Sequence, residues 1–318
     1  MSYLIIIILL FILELVYFRI ADCFNIIDKP NHRSSHTTIT LRGGGMIFPL
    51  AMIIACVLGY ASIAATIAIV LVGLISFIDD IKPLHQLPRI GSQLIAVSLV
   101  LYDLGMLNEG LLFIIPLVFI LAIGWINAFN FMDGINGITV LYALVAISSF
   151  GWIYRDTPSF EILATMGLGC LVFAYFNVRK KAKTFAGDVG SVSMALFLAY
   201  FMIKLIFEIQ QPAYILFFSV YGIDAVITIL YRLKNKENIF QPHRSHLYQY
   251  LANEMKWPHV QVSIVYAFIQ LLINIVIIYL VSQNEMSLAV AFGILGIMSV
   301  VYFFIRKSVK AKIAIGNA

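Results

Sequence analysis

Apolar runs separated by short polar breaks repeat from one end of the 318-residue chain to the other. At the roughly 17–25 residues that a membrane-crossing helix needs, the runs predict helices near 3–21, 44–58, 61–78, 90–106, 111–128, 138–154, 160–178, 190–208, 212–231, 259–282 and 286–305. The second is short and opens within Gly43-Gly44-Gly45. No polar stretch is long enough for a soluble domain, so residues 1–318 read as one polytopic, all-α membrane domain with about 11 spans. The first run has no basic segment before it and no small-residue cleavage site after it, and is read as an uncleaved span rather than a signal peptide.

Composition agrees. The chain is 62% hydrophobic and 12% charged, with a mean hydropathy of +0.96, where a soluble domain carries about a quarter charged residues. Charge then orients the spans. If the segments 22–43, 79–89, 129–137, 179–189, 232–258 and 306–318 share one side, with Arg19 at a helix end, only Arg155 and Lys204 of the 21 Lys and Arg fall elsewhere. Short loops rich in Lys and Arg stay in the cytoplasm. The N-terminus is therefore expected outside and the C-terminus inside. The net charge of +5 orients the chain and faces anionic lipid or an anionic substrate; no nucleic-acid partner is implied. Cys23, Cys56 and Cys170 lack metal or redox spacing and read as small apolar residues.

Every dense polar motif falls on that one side: Asp79-Asp80 where span three ends, "127-NAFNFMDGING-137" where span five ends, "187-GDVGS-191" where span eight opens, and "241-QPHRSHLYQ-249" in the longest loop. Asp79 and Asp80 could simply be a solvated helix end. But carboxylates are disfavoured at the negative end of a helix dipole, and two side by side favour a shared cation or cationic partner. Asn127, Asn130, Asp133 and Asn136 recur every third residue, a slowly turning polar stripe on a helix; an Asn/Asp/Gly turn is the plainer reading. Asp188 is placed as a helix N-cap, which leaves lone pairs for a metal. Oxygen donors without a His/Cys set point to Mg²⁺, with Mn²⁺ as the alternative. His243, Arg244 and His246 form either a solvated basic loop or an anion clamp. Together these features suggest phosphoryl chemistry on a lipid.

The motifs "DKPNHRSSHTTITLRGGG", "FIDDIKPLHQLPRIGSQ", "NAFNFMDGINGI", "GDVGS", "YGIDAVITILYRL" and "PHRSH", in this order over nearly the whole chain, resemble those of the polyprenyl-phosphate N-acetylhexosamine-1-phosphate transferases, glycosyl transferase family 4. The resemblance implies a multi-pass enzyme of the bacterial inner membrane, N-terminus periplasmic and active site at the cytoplasmic face. Undecaprenyl phosphate would attack a UDP-N-acetylhexosamine and release UMP, with Mg²⁺. On this resemblance Asp188 and Asn130 are the metal ligands and Asp79, Asp80 and Asp133 the catalytic acids. Asn127, Asn136, His243, Arg244 and His246 would hold the nucleotide sugar, and Arg33, His36 and Arg42 of the first loop the lipid phosphate. The chain departs from relatives specific for N-acetylglucosamine at Tyr248 and Gln249, where they carry His, and at Asn136, where many bacterial relatives carry Asp. Both departures look like the branch that initiates O-antigen or capsule with N-acetylated 6-deoxyhexosamines, and make a peptide-bearing muramoyl sugar less expected. Oligomeric state is open, a homodimer being allowed.

A transporter is the main non-enzyme alternative, but transporter sites lie near the midplane, often between repeated halves. Here the span interiors are almost clean apart from residues such as Asp224 and Lys204, and no internal repeat is visible. A phosphatidyltransferase using a CDP-activated lipid would need two Asp-Gly blocks in one helix pair, which are missing.

Overall fold

The computed structural model describes residues 2–30, 38–107, 109–238 and 243–316. Its elements run α1 (Tyr3–Cys23), β1 (Ile27–Asp28), β2 (Thr40–Leu41), α2 (Ile47–Val57), α3 (Ile63–Ile81), α4 (Gln86–Asp103), α5 (Ile115–Met132), α6 (Ile138–Ile153), α7 (Ser159–Asn177), α8 (Gly187–Ile209), α9 (Ser219–Lys234), α10 (Leu247–Gln249), α11 (His259–Ser282) and α12 (Leu288–Gly316). Each predicted span falls on one of these helices. Eight helical segments are long and apolar enough to cross a membrane, and the apolar segments Gly44–Val57 and Ile138–Ile153 are shorter. The protein is an all-α integral membrane protein but for one short ladder.

That ladder is a correction with consequences. Ile27 pairs with Leu41 and Asp28 with Thr40, antiparallel, and Leu41 forms a parallel bridge to Thr184. The first loop is thereby stitched to the strip just before α8. A period-two pattern cannot show in two-residue strands, so the sequence carries no trace of it.

Helix α8 is the axis of the bundle. It packs against α2, α3, α5 and α6, and 61% of its apolar window is buried, against 11% for α12. The sequence of α8 is apolar on every side, as a helix enclosed by others must be. One group of buried polar side chains inside the bundle shows how such groups are paired. Chain entry to α9 is a 3-10 segment, Pro212–Phe218, which frees backbone groups that lipid cannot satisfy. Gln270 of α11 meets them, accepting from Val220 N at 2.9 Å and donating to Leu216 O at 2.9 Å. Its amide is held in turn by Tyr142 and Asn274, each at 2.7 Å.

Candidate active site at one end of the bundle

Helix α3 runs three residues further than predicted, to Ile81, and so carries Asp79 and Asp80 on its last turn. The dipole cost of that position is offset by another helix. The N-cap of α8 is Ala186, which makes no side-chain cap bond. Instead the free N–H groups of Asp188 and Val189 donate to the two oxygens of Asp80, at 3.0 Å each. Asp80, with a fully buried side chain, thus caps α8 from α3, a carboxylate placed at a positive dipole end. This corrects the expectation that Asp188 is the cap. Asp188 lies one residue inside the helix, and its 23%-exposed carboxylate is left for other partners.

Those partners are arginines. Arg42 places Nε 2.8 Å from Asp80 Oδ1 and a terminal nitrogen 3.7 Å from Asp188 Oδ1. Arg89, three residues into α4, reaches Asp79 at 3.2 Å and Asp188 at 3.5 Å. Asp79 also accepts from Leu84 N at 2.6 Å, which fixes the turn from α3 to α4. Two partly exposed cations therefore bridge three carboxylates. Burial opposes the charge of Arg42, but Asp80, Asp188 and Asp28 outweigh it and hold the guanidinium above its ordinary pKa.

The backbone around Arg42 is strapped across α8. Gly44 N donates to Phe185 O at 2.9 Å, Gly45 N to Ala186 O at 3.1 Å, and Phe185 N to Leu41 O at 2.9 Å. Tyr17 of α1 donates to the Arg42 carbonyl at 2.6 Å. The strap lies so close that a Cβ on Gly45 would collide with the Gly190 backbone. Gly187 has φ +69°, and a Cβ there would stand 2.5 Å from Asp80 Oδ2. A left-handed, close-packed position of this kind demands glycine.

Helix α5 brings the amide motif to the same place. Asn130 Oδ1 accepts from Ser191 Oγ, one turn along α8 from Asp188. Asp133, the C-cap of α5, accepts from Thr139 at the start of α6. Desolvation pushes the Asp133 carboxyl up to about 6, against the hydrogen bond from Thr139. Asn127 and Asn136 are engaged elsewhere. Asn127 donates to Gln93 Oε1 at 3.1 Å and Ile123 O at 2.8 Å. The buried Asn136 donates to Arg179 O at 2.8 Å, and its carbonyl accepts from Ser263 at 2.8 Å.

The loop of His243, Arg244 and His246 docks beside the end of α5. Tyr248 is fully buried and donates to Phe131 O at 3.0 Å, between Asn130 and Asp133 in sequence. Gln249 accepts from His246 N at 3.2 Å in a capping box. The two departures at 248 and 249 therefore carry the docking of the loop. The ring of His243 lies 6.2 Å from that of Phe131. Burial first, with the charge of Arg232 nearby, lowers its pKa to about 4. Arg33 and His36 lie outside the described residues.

Asp79, Asp80, Asn130, Asp133, Asp188 and Arg42 are thus gathered at one end of the bundle, with the His243–His246 loop alongside. Sequence reasoning gave no role to Arg89, although it lies inside a quoted motif; a cation one short turn after an acidic pair was the available signal. It also passed over Tyr17, Thr139 and Ser191, which have no local signature. The donor set at the centre is oxygen only. No group of three His, Cys, Asp or Glu stands at metal-holding spacing among the described residues. Oxygen donors of this kind are the type a hard cation such as Mg²⁺ takes, with one or two carboxylates and the rest of its shell from water and phosphate.

The chain is similar in sequence to known proteins. Residues 62–206 match the family model described as Glycosyl transferase family 4, a stretch that holds Asp79, Asp80, Arg89, Asn130, Asp133 and Asp188. The chain is 29% identical over 213 residues to the phospho-N-acetylmuramoyl-pentapeptide-transferase of Streptococcus thermophilus, covering 56% of this chain and 62% of that protein. It is 30% identical over 210 residues to the enzyme of that name from Lactococcus lactis, covering 56% and 63%. Against the probable undecaprenyl-phosphate N-acetylglucosaminyl 1-phosphate transferase of Bacillus subtilis it is 26% identical over 262 residues, covering 73% and 71%. The matched stretch thus spans less than two thirds of the muramoyl relatives. The family model, these relatives and the membrane-helix bundle agree in one respect: the chain is similar, over residues 62–206 and beyond, to members of glycosyl transferase family 4.

Proposed function

We propose that this protein transfers an N-acetylhexosamine 1-phosphate from a UDP-sugar to undecaprenyl phosphate, releasing UMP, at the cytoplasmic face of a bacterial inner membrane. The product would initiate a cell-envelope polysaccharide such as O-antigen or capsule. The observation that carries the reading is the convergence of Asp79, Asp80 and Asp188 from two helices onto Arg42 and Arg89 at one end of an apolar bundle. A lipid-borne phosphate and a water-soluble nucleotide sugar can meet only at a membrane surface.

In this reading a phosphate oxygen of the lipid attacks the β-phosphorus of the UDP-sugar. The bond from that phosphorus to the bridging oxygen breaks, and its electrons leave with UMP. Asp188 and Asn130 would hold Mg²⁺, which when bound offsets charge on the diphosphate. Asp79 and Asp80 would orient the lipid phosphate. Arg42 and Arg89, each about a third exposed, can turn from carboxylate to phosphate oxygen as the substrates arrive. Arg244 supplies a planar fork for two phosphate oxygens. Relatives named for either sugar match at similar identity, so an N-acetylated 6-deoxyhexosamine is proposed on the sequence resemblance at Tyr248 and Gln249 alone.

The test is UMP release by purified protein with undecaprenyl phosphate and a panel of UDP-sugars, before and after chelation. Turnover with one sugar, lost with EDTA and restored by Mg²⁺, supports the reading; no UMP from any sugar overturns it.

A further inference from the structure

A second carboxylate centre lies apart from the acidic cluster. Asp224 of α9 is fully buried. Leu247 N donates to it at 3.1 Å, Tyr266 of α11 at 2.7 Å, Tyr302 of α12 at 2.9 Å and Thr228 at 3.3 Å. Nδ1 of His246 lies 3.2 Å from the same Oδ1. Arg306 of α12 closes the ring of contacts, donating to Thr228 and Tyr302 at 2.9 Å each. Four elements of the bundle thus converge on one side chain.

The donor count fixes the state of that carboxyl. With this many N–H and O–H groups aimed at it, Asp224 acts as acceptor alone, which is the ionised form. The proton between Asp224 and His246 therefore sits on Nδ1, and Nε2 is the only polar atom the ring has left. Nε2 is buried and meets no hydrogen-bond partner among the described residues, an uncommon condition for a polar atom in a folded protein. The ring itself is not adrift. It lies 4.9 Å from the His243 ring and 5.8 Å from that of Tyr248, whose hydroxyl reaches the end of α5 between Asn130 and Asp133. The neighbouring His243 is only half-buried.

We propose that Asp224 is the positioning residue of His246. It holds the imidazole in the Nδ1–H tautomer, so that Nε2 accepts a hydrogen bond from the sugar of the nucleotide sugar, either a hydroxyl or the acetamide N–H. This rests on the transferase reading above and deepens it. A bare ring nitrogen repels an anionic oxygen, so His246 reads the sugar and the diphosphate falls to Arg244. The sequence reading grouped both residues in one anion clamp; the buried carboxylate behind His246 separates their roles.

Two measurements test it. The first reads the ring in the unaltered protein: nitrogen NMR of full-length protein carrying ¹⁵N-histidine, with His246 assigned by the signal missing in His246→Gln. The expected spectrum shows Nδ1 protonated and Nε2 bare, with Nε2 shifting on addition of the UDP-N-acetylhexosamine that supports UMP release in the panel but not of UDP. The opposite tautomer overturns the role of Asp224. Equal shifts with both probes, or none with either, overturn the sugar contact. The second is a kinetic cycle on UMP release. In Asp224→Asn the amide can donate to Nδ1 and favour the wrong tautomer, as when a carboxylate that orients a histidine is replaced by amide. A loss of at least about tenfold in kcat/KM is expected, with the Asp224→Asn/His246→Gln protein no worse than His246→Gln alone. Additive losses mean that Asp224 acts independently of His246, and overturn the proposal. If no UDP-sugar supports UMP release the transferase reading falls, while the tautomer is still decided by NMR; the same spectrum decides the matter if Asp224→Asn fails to fold.

Discussion

The acidic cluster and the Asp224 centre both bury carboxylates near the same end of the molecule, yet they are satisfied in opposite ways. Asp80 and Asp188 face two arginines whose side chains are 34% and 33% exposed. Asp224 faces hydroxyls, a backbone N–H and a histidine, and its side chain is completely enclosed. Flexible cations at a surface can be drawn to an incoming anion. Neutral donors fixed in a helix interface cannot. The first arrangement suits a site that exchanges partners during a reaction, and the second suits a pivot that holds other groups still.

The contrast breaks most sharply if the acidic cluster tolerates change. Asp188→Asn and Asn130→Ala should each lower turnover at least about a hundredfold, the scale lost when one element of transition-state charge stabilisation is removed, with little change in melting temperature. Near-normal turnover of Asp188→Asn at low Mg²⁺ would sink the metal assignment. The Asp79→Asn/Asp80→Asn protein should still bind UDP-sugar by calorimetry but form no lipid-linked product by chromatography. Because Asp80 caps α8, it should also lose about 1 kcal/mol of stability; a more stable variant would mean the cap is not made.

Arg244→Lys keeps the charge and loses the planar fork. A fall of about tenfold in kcat/KM is expected, equivalent to about 1.4 kcal/mol; unchanged kinetics would make the loop a solvated basic segment. On the other side of the contrast, Tyr302→Phe removes one neutral donor from Asp224. It should cost about 1 kcal/mol in thermal unfolding and leave kcat/KM within about twofold. A large activity loss there would merge the two centres into one.

A last effect, on stability alone, concerns His243, whose pKa is lowered from 6.5 to about 4. Between those values the unfolded chain takes up a proton that the folded chain refuses. Stability should therefore fall as pH drops through that window and level off below it. The fall should be shallower in His243→Gln, read by melting temperature from pH 7 to 4. An identical slope in both proteins would show that His243 is not held neutral.

Much of the candidate site was legible before the fold. Asp79, Asp80, Asn130, Asp133 and Asp188 stand out because ionisable and amide groups at a membrane edge interrupt an otherwise apolar pattern. Arg89 was harder, since one arginine in a basic loop looks like a charge that merely orients the chain. Asp224 was read as an isolated interior acid, because its partners His246, Tyr266 and Tyr302 come from other helices and none is its neighbour in sequence. Asp188 was placed as a cap because a Gly-Asp start before an apolar run has that local form. The structure gave the cap to Asp80.

By itself the sequence determined the helical spans, their confinement of polar motifs to alternate breaks, and the oxygen-donor chemistry of those motifs. These follow from local rules: a lipid-facing backbone must satisfy its own hydrogen bonds, so span length and hydropathy are written residue by residue. Only the tertiary structure decided that α3 caps α8 across 108 residues of chain, that two arginines bridge three aspartates, and that a strap at Gly43–Gly45 holds one of them in place. Such contacts depend on which helix ends meet, and the period and propensity of a segment carry nothing about the segment it will meet.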